Sequence, residues 1–154
     1  MHVAKSRLQQ IDRIQWSFFR ESGVTCSAAL MDFNLAPLAI RRDIAMLGFI
    51  QKCVCGLAPE PLCSLFVRDT RVPAYNTRRS SRTHARQLVD FIDGTHSELL
   101  RRSVFGLVRT YNALPERIVL CNCVREFQRE IQDLVKEACI CQREFWSRSV
   151  HDCL

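Results

Sequence analysis

The run LCNCVREFQREIQDLVKEA, residues 120–138, decides the fold class of this chain. Leu120, Val124, Phe127, Ile131, Leu134 and Ala138 recur at intervals of four, three, four, three and four. That spacing stacks side chains on one face of an α-helix. Arg125, Glu126, Arg129, Glu130, Asp133, Lys136 and Glu137 occupy the remaining positions, a mixed-charge face suited to water. The pattern predicts a helix over about 120–145. So short a stripe is more often a seam against the chain's own core than a dimeric coiled coil. The second use makes Val124, Phe127, Ile131 and Leu134 a candidate interaction stripe for another protein or a second copy.

Working outward, Pro115 ends the preceding helix, which is expected to begin at a Thr95 or Ser97 cap and to run to Ala113. Leu99, Val104, Leu107, Val108 and Tyr111 give it an inner face. Earlier in the chain, Leu8, Ile11, Ile14 and Phe18 share one face of a helix over 5–22, and Gly23 suits the position just past its end. A short helix around Ala28–Leu30 is expected to close at Asn34 and Pro37. Ile40, Ile44, Leu47, Val54 and Leu57 trace a helix over 38–55, which Gly56 and Pro59 stop. A short helix over 61–67 follows. Residues 68–95 lose all periodicity; only Leu88–Ile92 suits an extended piece.

The expected fold class is therefore all-α. It comprises five or six helices in two clusters, 1–67 and 96–154, joined by an arginine-rich loop at 68–95. The two clusters are expected to pack as one compact domain, because each helix offers one apolar stripe that needs a partner. At 154 residues and 47% hydrophobic content the chain can bury a core. It has no apolar run long enough to span a membrane. Its first residues lack the apolar core of a secretory signal, so a nuclear or cytoplasmic setting is expected.

The net charge of +6 is unevenly placed. Arg68, Arg71, Arg78, Arg79, Arg82 and Arg86 face a single acid, Asp69, giving this window +5. A guanidinium forks onto phosphate oxygens, so these six arginines are the candidate nucleic-acid-binding residues. Only Tyr75 lies among them, which argues for backbone contact rather than base readout.

Nine cysteines, an odd number without a signal peptide, are expected to be reduced thiols. The Cys-x-Cys pairs 53/55, 121/123 and 139/141 are one residue short of the usual zinc spacing. On a helix such thiols diverge by about 200°. No metal site or cofactor is expected from them. His2, His84, His96 and His151 are scattered and read as surface or loop residues. No nucleophile–base motif and no Asp-Asp pair for two-metal phosphoryl chemistry is present, so no catalytic residues are expected.

Three blocks in order carry a resemblance. The first runs from Arg7-Leu8 to Phe19-Arg20. The second is Leu35-Ala36-Pro37-Leu38 with Arg41-Arg42-Asp43, Leu47, Gly56-Leu57-Ala58-Pro59, Leu62 and Phe66. The third is Thr77-Arg78-Arg79, Arg102-Ser103-Val104-Phe105, Tyr111-Asn112-x-Leu114-Pro115 and Phe127. Together they resemble the tail that follows the polymerase in non-LTR retrotransposon reverse transcriptases, where the aromatic before Asn is often Trp. The resemblance covers residues 5–137. It implies an RNA-directed DNA polymerase fragment without the family's palm, which would lie upstream of Met1. As a partner it implies the upstream polymerase portion. Three readings stand open: a non-catalytic tail touching RNA or DNA backbone, a helical interaction module, and a translated retroelement remnant without a selected function.

Overall fold

The computed structural model describes residues 5–70, 83–92, 100–101 and 103–154. Among these the protein is all-α, as the periodicity predicts. We name the helices α1 (Lys5–Glu21), α2 (Cys26–Phe33), α3 (Leu38–Val54), α4 (Glu60–Cys63), α5 (Val108–Ala113), α6 (Glu116–Val119) and α7 (Val124–Ile140). Short 3-10 turns at Val104–Leu107 and Val150–Cys153 complete the described elements. The chain divides into two compact units, residues 1–45 with 131–154, and residues 46–130. The boundaries fall inside α3 and α7, not at the basic window. They therefore differ from the expected clusters at 1–67 and 96–154.

The first unit contains α1, α2, the start of α3 and the end of α7. Thr25 caps α2 by accepting the Ala28 N–H at 3.1 Å, and Asn34 ends it in the left-handed region (φ 56°). Gly23 ends α1 at φ 65°, a conformation glycine adopts at no steric cost. The inward face of α1 is not the one its apolar spacing suggests. Ile14 and Phe18 are exposed, at 71% and 58%, while Phe19 is buried. One position around the helix, polar groups do the fixing. Asp12 takes both guanidinium nitrogens of Arg42, at 2.8 and 3.1 Å. Gln15 accepts the Leu38 N–H at 2.8 Å and donates to the Ala36 carbonyl at 3.2 Å. Its carboxamide thereby caps the start of α3, where the backbone N–H groups have no intrahelical acceptor.

Asp43 fixes the end of the chain in the same unit, accepting the Val150 N–H at 3.1 Å. Val150 and Cys153 are buried there, with Ile131, Val135 and Ala138 of α7. Arg143 donates to the carbonyls of Cys153 and Leu154, at 2.5 and 3.0 Å.

The second unit holds the remainder of α3, α4 to α6 and the start of α7. Its core is Leu47, Ile50, Phe66, Val108, Tyr111, Leu114, Ile118 and Phe127, all buried. The expected single helix up to Ala113 is interrupted. The Ser103 hydroxyl bonds the Leu100 carbonyl at 2.6 Å, and the chain re-enters through the 3-10 turn before α5. A side chain on Gly106 would collide with the Arg101 carbonyl, so glycine is required where these turns cross. The Thr95 and Ser97 caps lie outside the described residues. The last helix starts at Val124 rather than 120, because the chain turns at Leu120–Cys123. Leu120 is accordingly exposed.

Burial pushes the Asp43 carboxyl up to about 6, against the help of the Val150 N–H and Arg42 and with repulsion from Asp152. An acid whose folded pKa is raised destabilises the fold above that pKa. The cost is relieved as pH falls through about 6 toward the unfolded value of 3.8. Asp43→Asn keeps an acceptor for Val150 without the buried charge. Chemical denaturation should find it more stable than wild type at pH 8, by on the order of 2–3 kcal/mol, with the gain gone at pH 4. A variant equally destabilised at both pH values would contradict this origin.

Candidate nucleic-acid interface

Arg71, Arg78, Arg79 and Arg82 lie outside the described residues. The structure describes both flanks of their segment and the other two arginines. Val67–Asp69 and Gln87–Val89 run antiparallel: the Asp69 N–H donates to the Gln87 carbonyl at 2.8 Å, and the Val89 N–H to Val67 at 2.9 Å. Of the extended piece expected at Leu88–Ile92, the structure shows an isolated bridge between Leu88 and Arg68 and no strand. The flanks are short, so side chains must hold them in place.

Tyr111, Asn112, Leu114 and Pro115 supply much of that support. Asn112 matches both backbone groups of Leu88, accepting its N–H and donating to its carbonyl, each at 2.8 Å. The amide does what a neighbouring strand would do. Tyr111 is fully buried and donates its hydroxyl to Gln51 Oε1 at 2.7 Å. Gln51 Nε2 in turn donates to the carbonyls of Val119 and Cys121, at 2.9 and 2.6 Å. Tyr111 also meets His84 edge-on and Phe127 at a tilt, with centroids 5.6 and 6.2 Å away. Leu114 is fully buried, and Pro115 opens α6.

His84 lies in a loop, as its sequence context suggests, but it is buried rather than at the surface. Its Nδ1 accepts the Arg86 N–H at 3.2 Å, which leaves Nε2 to carry the proton and donate to the Tyr111 carbonyl at 3.0 Å. Burial depresses its pKa below the ordinary 6.5; Arg86 adds to this, and the Tyr111 carbonyl and Glu116 oppose it. The ring is therefore neutral at pH 7. Burial likewise raises the Tyr111 phenol well above the usual range, so it stays a donor.

Arg86 and Arg68 belong to this support. Arg86 donates to the Val119 carbonyl at 2.8 Å and to Asn122 Oδ1 at 3.0 Å. Arg68 donates to the Val54 carbonyl at 3.0 Å, at the end of α3. Two of the six candidate arginines are thus engaged with their own unit's backbone. Asp90, at the far end, binds Arg109 and accepts the Ile92 N–H at 3.0 Å.

The candidate interaction stripe is occupied by the chain's own core. Phe127 and Ile131 are fully buried, Leu134 is nearly so, and Val124 is half-buried. All nine cysteines are free thiols. Contrary to a placement of every Cys-x-Cys pair within helices, Cys55, Cys121, Cys123 and Cys141 lie in turns. Among the described residues no three His, Cys, Asp or Glu side chains converge as metal ligands. Nor is any described helix long and apolar enough to cross a membrane. No protein-family model, curated protein or solved structure matches the chain.

Sequence reading missed Gln51 and His84; it placed Tyr111 on an inner helix face but gave Asn112 no contact. A glutamine inside an otherwise apolar helix face was the available signal for Gln51. Tyr111→Phe leaves Gln51 Oε1 buried without its donor, which should cost about 1–3 kcal/mol in urea denaturation. A loss below a few tenths would show that the network carries no weight. In an NMR titration the His84 ring should have its midpoint below 6.5. Because the unfolded chain protonates first, this group's stability contribution is intact above 6.5 and declines as pH falls below it. A midpoint at or above 6.5 would contradict the buried, neutral ring.

Proposed function

We propose that the chain is a non-catalytic helical module, of the kind that follows the polymerase in non-LTR retrotransposon reverse transcriptases. In this reading it contacts RNA or DNA phosphates through the arginines of residues 71–82. One observation carries the reading: both flanks of that segment are tied down by side chains, while four arginines and no acid lie between them. Anchored flanks lower the entropy lost when a basic segment binds. Arg68 and Arg86 are excluded from the contact set, because their guanidinium groups already serve Val54, Val119 and Asn122.

The burial of Phe127 and Ile131 disfavours the alternative in which the α7 stripe docks another protein. Exposing that stripe would cost the core of the chain itself. The absence of base-stacking aromatics near the segment, beyond Tyr75, favours contact without sequence readout.

Four phosphate contacts on a duplex give a slope of about −3.6 for log affinity against log salt. Fluorescence anisotropy with an RNA hairpin should return that steepness. Arg78→Ala, Arg79→Ala and Arg82→Ala together should flatten it to about −0.9, with the melting curve unchanged. Absence of binding at low salt, or a slope indifferent to the triple substitution, would overturn the reading.

A further inference from the structure

The first unit contains an open cavity of ≈ 590 Å³ between the start of α2 and the chain that leaves α7. Its size lies within the range of sites for small organic ligands, and far above what a bare phosphate fills. Arg143, Phe145, Trp146, Ser147 and Arg148 form one wall and Ser27 faces them. Two guanidinium groups and two hydroxyls thus surround a space that no carboxylate lines. Here Arg143 and Arg148 flank two adjacent aromatic residues, Phe145 and Trp146.

The two arginines have different duties. Arg143 spends one nitrogen on the carbonyls of Cys153 and Leu154. Among the described residues the Arg148 side chain makes no hydrogen bond or ion pair; its guanidinium lies over the Phe145 ring, 3.8 Å from the centroid, while its backbone N–H donates to the Phe145 carbonyl at 2.8 Å. Stacking holds the group flat and leaves its N–H edge and its other face unused. A flat guanidinium is a surface on which nucleobases stack, and its edge matches a phosphate bidentately.

The backbone of this wall is strained. Gln142 and Phe145 sit at φ 49° and 65°, in the left-handed region that favours glycine. Gln142 terminates α7, where a residue in that region is common. Phe145 is the third residue of a turn closed by the Trp146 N–H on the Arg143 carbonyl at 3.4 Å, and its ring lies beneath Arg148. A bulky residue held there costs on the order of 1–3 kcal/mol, and such strain concentrates at binding sites.

We propose that this cavity binds a nucleotide, with the phosphate on the N–H edge of Arg148 assisted by Arg143, and the base stacked on the Arg148 plane beside Trp146. The nucleotide is either free or one unit of a single strand. The proposal uses none of residues 71–82 and stands whether or not they meet phosphates.

Titration calorimetry on the full chain tests it with adenosine monophosphate, adenosine, inorganic phosphate and a short single-stranded oligoadenylate. Saturable binding of the nucleotide, tighter than of adenosine or phosphate, is expected; saturation by the oligonucleotide alone would identify a strand unit as the ligand. Arg148→Ala should weaken binding at least about tenfold. Ser147→Glu, which adds a carboxylate to the wall, should abolish it. The Arg148 side chain has no hydrogen bond to lose among the described residues, and a melting curve checks that both variants fold. No saturable binding at millimolar concentration, phosphate binding as tightly as the nucleotide, or affinity unchanged in both variants would overturn the proposal. So would oligonucleotide binding lost only in the Arg78, Arg79 and Arg82 triple variant, which would assign it to the basic segment.

Discussion

The second unit depends on one buried carboxamide. Gln51 is fully buried on the inner face of α3; its Oε1 accepts from Tyr111, and its Nε2 donates to the carbonyls of Val119 and Cys121. An unmatched amide in such a place costs a few kcal/mol, whereas a matched one fixes the partners it needs. The match requires α5 to present a tyrosine and the chain after α6 to turn with its carbonyls toward α3. From Tyr111 the constraint passes to His84 through the Tyr111 carbonyl, and from Asn112 to Leu88. The flanks of the basic segment are held at the end of this series of polar contacts.

The same economy operates in the first unit, with other residues. Gln15, Asp12 and Asp43 each pair with groups on α3 or at the chain's end. Apolar burial supplies the driving force but is indifferent to rotation of a helix by one position. The polar pairs are not. They select the face of α1 that packs, at the expense of leaving Ile11, Ile14 and Phe18 exposed.

The helical class and the limits of α1 to α3 were legible because spacing and terminators encode them locally. Phe127, Ile131, Leu134 and Ala138 are buried as their periodicity requires, and Gly23, Asn34 and Gly56 stop helices in the left-handed region. What spacing could not reveal were pairings over long separations. The Tyr111–Gln51 bond joins residues sixty apart, and Gln15 reaches the start of α3. The α1 stripe misled because its polar neighbours carry the specificity. The candidate interface was half legible. Charge located the arginine window, but only contacts reveal that Arg68 and Arg86 serve the fold. The cavity was invisible, since it joins the start of α2 to residues 139–148, far apart in sequence.

The account stands on the claim that side chains of α5 hold the Leu88 segment as a pseudo-strand. Native-state hydrogen exchange on the Leu88 amide tests it most directly. Its N–H donates to the Asn112 side chain, so it should be protected in the wild type and exchange freely in Asn112→Ala, while amides inside α7 keep their protection. Exchange of the wild-type Leu88 amide at the rate of an unstructured peptide would contradict the account.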